Sequence, residues 1–177
     1  MRQATSKRSS QVTIDSSRSD FDGLRDDIRQ VYDGDPWYGS PITHVLNGVD
    51  ATTAARRSFS HAHTIWELVL HMTAWTREVT SRVRGNNAAD PLEDWPPQPA
   101  PPTESGWRAA QNDLREAHMD FVRAVDALNP ADLVPIVTDE RQPSGGAPRS
   151  IGSHIRGLLQ HHTYHLGQIA LLKRAAD

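Results

Sequence analysis

The residues best suited to chemistry lie in Gln160-His161-His162-Thr163-Tyr164-His165-Leu166-Gly167-Gln168, near the C-terminal end of the chain. With His154 upstream, this stretch accounts for four of the nine histidines. His161 and His165 are four residues apart, so on an α-helix their rings leave the same face one above the other, where both can reach one metal ion. Two rings make half a site, and a neighbouring helix is the natural source of a third. The best candidate is His71, in Thr64-Ile65-Trp66-Glu67-Leu68-Val69-Leu70-His71-Met72-Thr73-Ala74-Trp75. It stands one turn after Leu68 and one before Trp75, on or beside an apolar face.

Three neutral imidazoles leave a divalent ion with open positions. Such an ion can draw the pKa of bound water toward about 7, hold a thiolate or polarise a carbonyl. Imidazole suits Zn, Ni, Fe and Cu, and the spacing does not choose among them. The expected cofactor is a divalent ion, Zn or Ni ahead of Fe or Mn. The pattern departs from the zinc-protease His-Glu-x-x-His, because His162 occupies the place of the general-base glutamate. Glu67, one turn before His71, is the carboxylate candidate in its stead, as an acceptor for an imidazole N–H or as a further ligand. Its competing role is that of a helix-start carboxylate. Gln168, one turn beyond His165, is a candidate for orienting a ring or a bound water. His162 lies three residues from His165 and competes with His161 on geometry. His118 and His154 read as packed or bundle-lining side chains, Tyr164 as structural, and Gly167 as the point where another helix comes close.

These motifs carry a resemblance. Gly34-Asp35-Pro36-Trp37, then Ile65-Trp66-Glu67-Leu68-Val69-Leu70-His71-Met72-Thr73-Ala74-Trp75, then Gln-His-x-x-Tyr-His-x-Gly-Gln-Ile-Ala-Leu-Leu from Gln160 resemble the DinB-like superfamily, which includes the YfiT-type proteins. The resemblance runs from about Phe21 to the C-terminus and implies an all-α, four-helix bundle with a three-histidine metal site at His71, His161 and His165. It further implies a homodimer and an activity such as thiol S-transfer with a low-molecular-weight thiol, or hydrolysis of a small substrate. The alternative is a non-catalytic metal-binding or interaction protein in which the ion is structural.

The bulk composition narrows the field. The 177 residues suit one domain, with an N-terminal tail over 1–19 and the helical domain over 20–177. Six serines, four basic residues and almost no large apolar side chains in residues 1–19 cannot offset the entropy of ordering. The absence of cysteine excludes disulfides, thiolate ligands and a cysteine nucleophile. With neither a long apolar run nor a secretory pattern, the expected location is the cytoplasm, with no membrane partner. A net charge of −3 with scattered basic residues argues against a nucleic-acid partner, because the phosphate backbone demands a concentrated positive surface.

The elements that position the histidines follow from spacing and caps. Phe21, Leu24, Ile28 and Val31 predict a first helix from near Asp20, stopped by Gly34-Asp35-Pro36. A short helix is expected over Pro41–Leu46, with Trp37 as a buried aromatic anchoring the loop before it, and Asp50 as N-cap of another over Ala51–Arg57. Thr64 and Glu67 predict a capping box for the second long helix, which Gly85 ends. Six prolines between Asp90 and Pro102 predict a long crossover between long helices two and three, a segment that can also roof an active site, with Trp95 as a candidate substrate contact. A third long helix is expected over Thr103–Leu128 and a short one after Asn129-Pro130, followed by a loop over Val134–Arg149. Ser150 then caps the fourth, whose apolar surface is assigned to Ile151, Ile155, Leu158, Leu159, Ile169, Leu171 and Leu172.

Overall fold

The computed structural model describes residues 16–86, 93–137 and 149–176. These are mostly helical. The order is α1 (Ser16–Asp33), α2 (Ile42–Leu46), α3 (Ala51–Ala55), α4 (Ile65–Val83), α5 (Glu104–Asp126), a 3-10 turn (Pro130–Leu133), β1 (Ile136–Val137), β2 (Arg149–Ser150) and α6 (Ile151–Arg174). Of the tail expected over residues 1–19, residues 1–15 fall outside the described residues, and the last four are helical, because α1 begins at Ser16.

The caps form as their chemistry demands. Asp50 accepts from the Thr53 N–H at 2.7 Å and starts α3, which stops at Ala55, two residues short of the expected end. Thr64 accepts from the Glu67 N–H, and the Glu67 carboxylate accepts from the Thr64 N–H at 2.9 Å, so two N–H groups at the start of α4 are satisfied reciprocally. Gly85 follows α4 with φ +81, a conformation a side chain rarely adopts. Thr103 and Ser150 cap α5 and α6. The paired strands β1 and β2 are antiparallel, with Ile136 opposite Ser150; they replace the ends of what reads in sequence as a plain loop.

Helix α4 packs against α5 and α6, and α1 packs against the same two. The core falls into two apolar clusters. One gathers Val31, Trp66, Met72, Trp107, Leu114, Leu166 and Ile169 among others, and the second gathers Phe21, Ile28, Val79, Phe121, Ile155 and Leu158. Between them on α4, α5 and α6 stand the buried polar residues Thr76, His118 and His162. Trp107 lies wholly inside the first cluster and donates its indole N–H to the Val49 carbonyl at 2.7 Å, fixing α5 to the α2–α3 connection.

Three expectations fail on the surface. Trp37 is 93 % exposed and meets Tyr38 edge-on, so it anchors nothing in the core. Leu171, assigned to the apolar face of α6, is 62 % exposed, because it lies about 100° around the helix from its buried neighbour Leu172. A Cβ on Gly167 would meet nothing within 4 Å, so among the described residues no helix makes a close approach there.

Candidate metal centre

Three elements build the site. The capping box fixes where α4 starts, which sets His71 on the second turn of that helix. His161 and His165 leave one face of α6. Residues 93–102, rich in proline and without helix, lie against both. This segment is tied down by the Thr64 hydroxyl, which donates to the Gln98 side-chain carbonyl at 2.6 Å, and by the Trp75 indole N–H, which donates to the Asp94 carboxylate at 2.7 Å.

The Nε2 of His161 lies 2.9 Å from the Nε2 of His71 and 2.9 Å from the Nε2 of His165. The potential ligand atoms of the three rings all lie within 4.8 Å of one another. The far nitrogens explain why these atoms face inward. The Nδ1–H of His71 donates to the Asp94 main-chain carbonyl at 2.5 Å, with the Asp94 carboxylate 3.3 Å away, and the Nδ1–H of His165 donates to Oε1 of Gln168 at 2.7 Å. A carbonyl oxygen only accepts, so both rings carry their hydrogen on Nδ1 and present an Nε2 lone pair.

The protonation states agree. Burial lowers the pKa of all three imidazoles; for His161, the nearby His165 and His71 rings lower it further, to about 4. With all rings neutral, at most one hydrogen can lie among three converging nitrogens. That hydrogen can be given to only one of the other two nitrogens, so hydrogen bonding leaves at least one converging lone pair unsatisfied, an arrangement a cation satisfies. These residues fit a divalent ion. Among the described residues the group has three members and no fourth.

Aromatic rings surround the triad. Trp95 stacks on His71 at 3.8 Å between centroids and 6° from parallel, and its other face stacks on His63 at 3.5 Å and 4°. Trp75 contacts His71 and His161, and Tyr164 meets His165 edge-on at 5.0 Å.

The remaining candidates separate. Gln168 orients the His165 ring. Glu67 is one turn from His71, yet its carboxylate is engaged by the Thr64 N–H, by the Arg57 guanidinium and by Nδ1 of His63 at 3.2 Å. Burial raises its pKa, but the Thr64 N–H and Arg57 outweigh that and hold it below the ordinary glutamate value. The acceptor on the far side of His71 is Asp94, which sequence reasoning missed: nothing in a proline-rich segment distinguishes one acid from another until the chain is seen to pass the site. His63 left a faint signal in its four-residue spacing to Glu67.

His162 is not part of the triad. It is buried, its pKa is pushed by that burial to about 3, and its Nε2 lies 3.1 Å from the Thr76 hydroxyl. His118 is buried in the same layer, stacked on Tyr32 at 4.8 Å, and its pKa is lowered by burial to about 4. His154 is half-buried on α6, two turns before His161.

No helix among the described residues is long and apolar enough to cross a membrane. Comparison with curated proteins and with solved structures returns no significant match. The family model of the DinB superfamily matches residues 40–169, most of the chain and all three histidines included, and the protein belongs to that superfamily.

Proposed function

We propose that the protein is a divalent-metal-dependent enzyme, acting as a thiol S-transferase or as a hydrolase of a small substrate, on a four-helix bundle formed by α1, α4, α5 and α6. One observation carries the reading: three neutral imidazoles converge on one point, two of them held by acceptors on their far nitrogens, and no fourth ligand among the described residues closes the shell. When bound there, Zn or Ni, ahead of Fe or Mn, supplies a Lewis acid with open positions for water, a thiol or a carbonyl.

The protein's own groups do the positioning. Asp94 and Gln168 keep the hydrogens of His71 and His165 on Nδ1, which keeps both Nε2 lone pairs directed inward. Trp95 covers one face of His71 and excludes water from it. The chain has no cysteine, so in the transferase version the reacting thiol comes from a small cosubstrate. A homodimer and a cytoplasmic location belong to the same proposal, supported by the family resemblance and by composition, as does the absence of a nucleic-acid partner.

A second reading draws on burial. His71 and His165 are each only 4 % exposed and join α4 to α6, so an ion between them would also serve to tie the two helices. The deciding experiment is elemental mass spectrometry on protein purified without a histidine tag, with His71→Ala, His161→Ala and His165→Ala alongside. Near-stoichiometric metal in the parent and its loss in each variant is the expected result. A parent that takes up no Zn, Ni, Mn or Fe, or variants that keep it, would overturn the three-histidine reading. Metal that exchanges no ligand with added thiols or chelating probes would favour the structural ion.

A further inference from the structure

The rings around the triad are not explained by metal binding. Tyr164 is 65 % exposed, yet its ring stands 5.0 Å from that of His165. Trp75 and Trp95 are both half-buried at the edge of the core, each in ring contact with two of the three histidines. Large aromatic side chains left partly in water, next to buried ligand rings, form a surface that an apolar ligand group can cover.

The charges nearby are already engaged. The Arg57 guanidinium pairs with Glu67. The Asp94 carboxylate accepts from the Trp75 indole and lies 3.3 Å from Nδ1 of His71, so it adds negative charge beside the triad. A ligand tail beside these residues therefore finds the exposed Tyr164 ring, the edges of Trp75 and Trp95 and one carboxylate, and meets no cation free of a carboxylate partner among them.

We propose that the ligand of this site joins a metal-binding head to an uncharged aromatic ring, and that Tyr164, with the edges of Trp75 and Trp95, receives the ring. The inference rests on the open-site reading given above. Gly167 widens the berth: a Cβ there would meet nothing within 4 Å, so the helix surface one turn beyond Tyr164 stays flat.

Hydroxamates test the two layers separately. On protein reconstituted with Zn or Ni, calorimetric titration with acetohydroxamate measures the open positions, and benzohydroxamate adds the ring. Benzohydroxamate should bind at least tenfold more tightly; Tyr164→Ala should remove most of that preference with metal content unchanged, while Tyr164→Phe keeps it. A para-carboxylate on the ring should reduce the preference. Equal affinity for the two hydroxamates, a preference that survives Tyr164→Ala, or full tolerance of the para-carboxylate would overturn the proposal and leave the open metal site standing. If neither hydroxamate binds to protein carrying stoichiometric metal, the open-position reading falls and takes this proposal with it.

Discussion

At the scale of single residues, the three histidines differ in what holds them. His71 has a main-chain carbonyl, His165 has a side-chain amide, and Nδ1 of His161 is buried with no hydrogen-bond partner among the described residues. A side-chain partner can be removed by mutation, whereas a carbonyl cannot. Gln168→Leu should therefore weaken metal affinity about tenfold or more, the range typical for groups that orient a ligand, while leaving the helix intact. Competition against a chromophoric chelator measures this; unchanged affinity would show that the His165 ring needs no such support. Asp94→Asn should have a smaller effect, since the main-chain acceptor stays in place and only the carboxylate at 3.3 Å is neutralised.

At the scale of elements, the start of α4 and the proline-rich segment are one unit. Thr64 satisfies the Glu67 N–H and also holds Gln98. Thr64→Ala should lower stability by about 1 kcal/mol from the lost cap alone, seen as a lower urea midpoint with an unchanged slope. It should also loosen the strip that carries Asp94 and Trp95, so metal affinity should fall together with stability. A variant with the stability loss and full affinity would show that strip to be held independently of Gln98. The buried contact of His162 with Thr76 joins α6 to α4 next along both helices from the triad, one residue after His161 and five after His71.

At the scale of the whole molecule, the buried layer of Thr76, His118 and His162 lies between the two apolar clusters, and its histidines are neutral when folded. Burial pushes His118 to about 4 against an ordinary 6.5. Its folded pKa is lowered, so the unfolded chain binds the proton more readily. The contribution of this group to stability is then fully present above about 6.5 and lost as pH falls toward 4. The loss amounts to roughly 3 kcal/mol for His118 alone. Urea midpoints measured at pH 7, 5.5 and 4.5 should fall in that order, and His118→Phe should flatten the slope. A parent whose midpoint is constant over that window would refute the buried neutral state. Metal acts in the opposite sense: free ion at a hundredfold over its dissociation constant should add about 2.7 kcal/mol, removed by a chelator and absent in His161→Ala.

Sequence by itself determined the pieces with local causes. The His161–His165 pair is a matter of helical period, the Thr64–Glu67 box of hydrogen bonds three residues apart, and the long helices of apolar spacing and caps. The choice of His71 rested on the motif it sits in as much as on spacing. Only the tertiary structure decided the contacts between segments far apart in the chain. It gave Glu67 to Arg57 and His63, placed Asp94 behind His71, put His162 in the core beside Thr76, and left Trp37 and Leu171 in water. The physical reason is range: a cap or a helical face is set within a turn, whereas the partner of a ring nitrogen depends on which distant strip of chain packs against it.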